Sequence, residues 1–154
     1  MRAGRRASVL LLTAVVGCGG SDSPDPIAKE EFVRRADAIC ASYEARNEAL
    51  AKVDPRTWEE SAVVAEKGAA LDEEKLGKLR DLPPSRAGAQ QADAYFDALE
   101  RLDENFREYA RLVRDRPLEH RSELKANSAE GHRLSRQVIA AATGFGFRGC
   151  GIKY

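Results

Sequence analysis

The apolar residues of this chain recur every three or four positions over long runs, and its prolines fall at the ends of those runs, not inside them. That pattern admits amphipathic helices and argues against strands, because proline breaks a helix interior and a strand repeats every two residues. Four helical segments are predicted. The first takes Asp25 as its N-cap and Pro26 as its first helical residue, and runs to about Val53 along the seam Phe32, Ala36, Ile39, Tyr43, Arg46, Leu50, Val53. Asp54-Pro55 repeats the signal and opens the second, to about Leu82, which carries Trp58, Ala62, Ala65, Ala69, Leu76 and Leu79. Leu82-Pro83-Pro84 ends it, and Ser85 is placed to cap the third. This third segment, to about Arg114, has the cleanest seam: Tyr95, Leu99, Leu102, Phe106, Tyr109 and Val113, widened by Ala92 and Phe96. Asp115-Arg116-Pro117 breaks it and opens the fourth, with Leu118, Leu124, Leu134, Val138, Ile139 and Ala142, ending before Gly144.

Segments of about 25 to 30 residues are roughly 40 Å long, and joins of a few residues force neighbours to run antiparallel. The expected fold class is therefore all-α, an antiparallel up-down-up-down four-helix bundle with a C-terminal tail; a coiled-coil oligomer of two long hairpins is the alternative. In the bundle Trp58 is expected in the core, and Arg46, the one polar residue in the first seam, is expected to reach acids such as Glu59 or Glu60 on the second helix.

Ahead of the helices stands a different kind of sequence. Arg2, Arg5 and Arg6, an apolar run from Val9 to Val16 and then small residues have the layout of an export signal. The run is far shorter than the roughly 20 residues a membrane-spanning helix needs. Val15-Val16-Gly17-Cys18 resembles the lipobox of bacterial lipoproteins, with Val15 standing where that family prefers Leu. The resemblance implies cleavage after Gly17 and acylation of Cys18, which becomes the mature N-terminus. Two or more acyl chains make a stable anchor, since each buried methylene contributes about 0.8 kcal/mol. The division that follows is a cleaved signal over 1–17, a lipidated cysteine and tether over 18–26, the bundle over 27–143 and a tail over 144–154. At no more than about 3.6 Å per residue the tether holds the bundle close to the outer, extracytoplasmic face of the cell membrane. The alternative is an ordinary secretory signal with an incidental cysteine.

Three cysteines are an odd number for an exported chain unless one is otherwise engaged. With Cys18 acylated, Cys40 and Cys150 remain, in a compartment where thiols pair, and an intramolecular disulfide between them is predicted. Two buried free thiols or an intermolecular bridge are the alternatives. The tail "TGFGFRGCGIKY" tests the bundle, because the fourth helix ends beside the start of the first. From Ile27 to Cys40 is roughly 20 Å along a helix axis, and seven extended steps from Thr143 to Cys150 reach about 23 Å. Phe145 and Phe147 are then expected to lie on the bundle; Gly68 and Gly131, placed near the height of Cys40 by counting from the joins, either make room for the tail or are merely tolerated in their helices.

The rest of the composition narrows function mainly by exclusion. Lys and Arg number 25 against 25 Asp and Glu, and removal of residues 1–17 takes three arginines and no acid, leaving a mildly acidic chain. Nothing forms a phosphate-tracking basic stripe or a base-stacking platform, so no nucleic acid is expected as a partner. His120 and His132 point about 120° apart on one helix, and the residues three before them are Pro117 and Ala129, so neither a shared metal site nor the Glu-x-x-His of di-iron bundles is present. No nucleophile elbow or phosphate loop occurs. No catalytic residue, metal or cofactor is therefore expected. The acidic clusters Glu30-Glu31 and Asp72-Glu73-Glu74 read as paired, solvated helix faces.

The stretch "EFVRRADAICASYEARN", Leu82-Pro83-Pro84 and "GFRGC" resemble small lipoproteins of high-GC Gram-positive bacteria. Those proteins are mostly without assigned activity, so the likeness implies export, a helical fold and the cysteine pair, and no catalytic residue. The expected function is a membrane-tethered interaction or structural module at the cell envelope, partnered by the membrane through its lipid and by an envelope protein. The alternative is a small-ligand binder with a pocket near Ala62, Ala65 and Ala69, its ligand unspecified.

Overall fold

The structure is a computed structural model that describes residues 25–83, 85–115 and 118–151. The four seams form four α-helices: α1 (Lys29–Ala51), α2 (Trp58–Arg80), α3 (Ala89–Arg114) and α4 (Arg121–Phe145). They run up, down, up and down as a bundle within one chain, with α2 against α1 and α3, and α3 against α4. Pro84, Arg116 and Pro117, expected at two of the joins, lie outside the described residues.

Every expected helix start moves, and for the first three helices the local bonds show why. Residues 25–28 do not form the first turn of α1. Ile27 makes an isolated parallel bridge to Ser85, its carbonyl accepting from the Arg86 N–H at 2.8 Å while Arg86 Nε donates to the Pro26 carbonyl at 2.7 Å. An Asp25 cap would satisfy one orphan donor; the extended strap pairs two carbonyls and half-buries Ile27 against the core. The start of α2 shifts from Asp54-Pro55 to a capping box: Thr57 Oγ1 accepts from Glu60 N–H at 3.1 Å, and Glu60 Oε2 accepts from Thr57 N–H at 3.1 Å and Arg56 N–H at 2.6 Å. Two reciprocal bonds outweigh the single one Asp54 could offer. Ser85 does not cap α3, since its hydroxyl donates to the Ala87 carbonyl; Gly88, at φ 83°, stands at the N-cap instead.

The last helix begins at Arg121 instead of Leu118 and continues through Gly144 to Phe145. It ends at Gly146, whose φ of 105° only glycine adopts freely. The Phe147 N–H bonds to the Ala142 carbonyl and the Gly146 N–H to that of Thr143, a Schellman turn that sends the chain back toward the bundle.

The core has two parts. The larger joins Phe32, Ala36 and Cys40 of α1 to Leu76, Leu79, Tyr95, Phe96, Leu99, Leu102, Leu134 and Val138, and takes in Phe145, Phe147 and Cys150. The smaller, toward the opposite end, is built of Ala62, Ala110 and Val113 with Ala65, Tyr109 and Leu124 beside them. No Cα of α1 lies within 8 Å of one on α3 or α4. The fourth side of the bundle is closed by side chains and the tail: the Phe32 and Phe145 rings meet edge-on at 5.7 Å, and Phe147 lies 6.2 Å from Phe32.

Candidate functional site

Three places in the molecule carry chemistry beyond plain packing. The first is the tail. Beyond the turn, the Phe147 ring sits 4.7 Å from Phe145 and 5.0 Å from Tyr95, filling the space that α1 leaves open. The next two backbone N–H groups, of Arg148 and Gly149, both donate to the Asp37 carboxylate, at 3.0 and 2.7 Å. Gly149 is held so close that a Cβ there would stand 3.2 Å from the Asp37 carbonyl oxygen. Cys150 then forms the disulfide with Cys40, their Cα atoms 5.1 Å apart, and its carbonyl accepts from the buried Tyr95 hydroxyl at 2.9 Å. Burial, with Asp72 and Asp37 adding to it, pushes the Tyr95 phenol well above its ordinary range, so it stays a donor.

The glycines expected to admit the tail do not. Gly68 faces Leu50, whose Cδ2 would be 3.6 Å from a Cβ, and a Cβ on Gly131 would stand 2.7 Å from Asn105 Oδ1. Gly68 lies level with Leu50, ten residues along α1 from Cys40, and Gly131 level with Asn105, ten residues along α3 from Tyr95, so both stand roughly 15 Å from the tail along the bundle axis. Gly131 instead makes room for a clasp between α3 and α4, in which Asn105 Nδ2 donates to the Asn127 carbonyl and Asn127 Nδ2 to the Asn105 carbonyl, both at 3.1 Å.

The second place is a charged seam between α2 and α3. Asp103 is buried; its Oδ2 meets Arg107 at 2.6 Å, while its Oδ1 is buried with no hydrogen-bond partner among the described residues. Burial, opposed by Arg107 and reinforced by Asp72, Glu73 and Glu104, raises its pKa to about 6. Arg107 also reaches Glu73 at 2.9 Å, and buried Lys75 pairs with Asp72 at 2.5 Å. The Asp72-Glu73-Glu74 cluster is thus split among separate cations, Glu74 taking Arg46 at 2.9 Å and the Tyr43 hydroxyl at 2.9 Å. Hydrogen bonds from Tyr43 and then Arg46 hold the Glu74 carboxyl below its ordinary range. At the other acidic cluster, bonds from Arg34 and then Arg35 lower Glu31 to about 2.

Arg46 reaches Glu74 and not Glu59 or Glu60, because the register that sets Leu50 against Gly68 and Tyr43 against Glu74 keeps it far from the start of α2. Glu59 pairs instead with Arg114 at 3.4 Å, and Glu60 serves the cap. His120 lies 3.8 Å from Glu123, His132 is exposed, and among the described residues no group of three His, Cys, Asp or Glu is arranged to hold a metal ion.

The third place is the end of the bundle formed by the α1–α2 and α3–α4 joins. Trp58, expected in the core, is 51% exposed there, with Val53 at 47% and Leu118 at 72%. Ala62 clusters with Ala110 and Val113 and Glu59 reaches Arg114, so Trp58, in the first turn of α2, stands level with the last residue of α3 at the rim of the bundle. Ile139, on α4, is the other exposed large hydrophobic among the described residues.

Two open hollows lie on the surface. One of about 440 Å³ is lined by Asp97, Glu100, Arg101 and Glu104 of α3; the other, of about 280 Å³, lies between α2 and α3 and is lined by Glu66, Ala69, Ala70, Glu73 and Arg107. Ala69 thus borders a charged groove, while Ala62 is packed in the small core. Among the described residues no helix is long and apolar enough to cross a membrane. Cys18 and the residues before it, where an export signal is expected, lie outside the described residues. Compared with protein-family models, curated proteins and solved structures, the chain matches none.

Proposed function

We propose that this chain is a membrane-tethered extracytoplasmic lipoprotein, released from residues 1–17, anchored by acyl chains on Cys18, and acting as a helical interaction or structural module at the cell envelope. The observation that carries the interaction reading is the placement of Val53, Trp58 and Leu118, which gathers three exposed apolar side chains at one end. The chain enters at the opposite end, where Ile27 pairs with Ser85. Helix α2 alone has 23 residues, so the two ends stand roughly 35 Å apart at 1.5 Å per residue. A short tether at one end turns the apolar end outward, away from the membrane and toward an envelope protein. Exposed apolar clusters on otherwise charged surfaces commonly mark contact sites.

The test pairs an anchor measurement with a contact measurement. Intact mass of detergent-extracted protein from its native envelope is expected to give a chain starting at Cys18 with added acyl mass, and Cys18→Ala is expected to release the protein into the medium. A photo-crosslinker replacing Leu118 is expected to give one discrete protein adduct that Trp58→Glu abolishes, while the same crosslinker at Ile139 gives none. An unacylated chain in the medium overturns the anchor; equal labelling from both positions overturns the module.

A further inference from the structure

The disulfide is not the only thing that holds the tail, and the other contacts surround Cys150 closely. Phe147 is buried among Phe32, Tyr95 and Phe145; the N–H groups of Arg148 and Gly149 converge on one carboxylate; and the Cys150 carbonyl takes the Tyr95 hydroxyl. None of these uses sulfur. Asp37 and Cys40 are three residues apart on α1, so the group that receives the tail's N–H donors and the group that receives its sulfur lie on the same face, one turn apart. Glycine at 149 lets the tail backbone approach Asp37 closely.

We propose that Asp37 is a latch that seats the C-terminal tail on α1 while Cys40 and Cys150 are still thiols, so that oxidation locks a site already formed. Pairing then proceeds by exchange with a small-molecule disulfide. One cysteine thiolate attacks the oxidant and releases its first thiolate; the other cysteine thiolate attacks the mixed disulfide and displaces the second, so two protein thiols are oxidised and the oxidant leaves as two thiols. A seated tail raises the effective concentration of one cysteine for the other. The proposal is independent of the anchor, because it concerns only contacts between the tail and the bundle.

The full chain is studied in detergent with Cys18→Ser throughout, so that only two thiols report. Equilibration in glutathione redox buffers, followed by alkylation and mass measurement, gives the effective concentration of the Cys40/Cys150 pair. Asp37→Ala is expected to lower it at least tenfold, Asp37→Asn and Tyr95→Phe by smaller factors, and Arg34→Ala on the same helix by less than twofold. In the Cys40→Ser/Cys150→Ser form, the Arg148 and Gly149 amides are expected to stay protected from hydrogen exchange, and to lose that protection on Asp37→Ala. Should Asp37→Ala fail to fold by circular dichroism, Asp37→Asn and Tyr95→Phe carry the test. The proposal is overturned by effective concentrations within twofold of the parent in all folded variants, or by tail amides that exchange at unfolded-chain rates in the serine form while the helices stay protected.

Discussion

Asp103 makes the stability of this bundle depend on pH in an unusual direction. The carboxyl is buried, with Asp72 and Glu73 of α2 and Arg107 and Glu104 of its own helix acting on it. Its pKa rises from 3.8 to about 6 on folding, so the folded state holds the proton more tightly than the unfolded chain. The stabilisation from that proton is complete below the unfolded pKa and is lost as pH rises through about 6. At 1.36 kcal/mol per unit the whole effect has a ceiling of about 3 kcal/mol, of which about 1.4 kcal/mol is lost between pH 5 and 7.5. The exposed carboxylates with lowered pKa, Glu31 and Glu74 among them, lose their contribution as pH falls through 4.5 and below, so they act mainly under this window. Thermal unfolding with the disulfide intact is therefore expected to give a Tm lower at pH 7.5 than at pH 5, by up to about 5 °C. Asp103→Asn keeps the volume and removes the charge, and Arg107 retains Glu73. The variant is expected to flatten the slope and to be at least as stable as the parent at pH 7.5. A variant that keeps the slope, or a parent whose Tm rises across the window, refutes the reasoning.

The other predictions concern stability as well. Replacing both Cys40 and Cys150 by serine opens a loop of sequence separation 110 and is expected to lower unfolding free energy by up to about 4.7 kcal/mol with the helical signal retained; an unchanged urea midpoint counts against it. Gly88→Ala places a side chain at φ 83° with its Cβ 3.0 Å from the Phe145 ring, and is expected to cost about 1 to 3 kcal/mol by urea titration. Gly77→Ala, within α2 with open space around it, is expected to gain up to about 1 kcal/mol in the same assay. Thr57→Ala removes the capping box of α2 and is expected to cost about 1 kcal/mol in Tm-derived stability.

What could be read from the sequence was whatever period and parity encode. The seam of α3 was legible because that helix lies between two neighbours and needs a wide apolar stripe, which Tyr95, Leu99, Leu102 and Val113 supply. The pairing of Cys40 with Cys150 followed from an odd cysteine count once Cys18 was set aside. The helix ends were less legible, because each is decided by competition between local bonds. The sequence Thr57-Trp58-Glu59-Glu60 has the spacing of a capping box, yet Asp54-Pro55 beside it offers a cap as well. Gly88 and Gly146 matter for a positive φ that composition does not reveal. The roles of Asp103 and Asp37 are hidden for a related reason: an aspartate in a helical repeat looks the same whether it faces water, a buried seam or another segment's backbone.

The two ends of the bundle are built on different terms, and the difference bears on where it can act. At the end where the chain enters, α1 is tied to its neighbours by large buried rings, each side chain contributing about 1.5 to 3 kcal/mol, and by the disulfide. At the far end the buried cluster is Ala62, Ala110 and Val113, with Leu112 buried beside it on α3, and these smaller side chains remove less apolar surface from water. The last turns of α1 add little there: residues 44–49 are all exposed, and Leu50 rests on Gly68 of α2. Local opening costs least where few apolar contacts must break. The end that presents Val53, Trp58 and Leu118 is thus also the end with the smaller buried cluster, free to adjust to a contact without disturbing the stapled end.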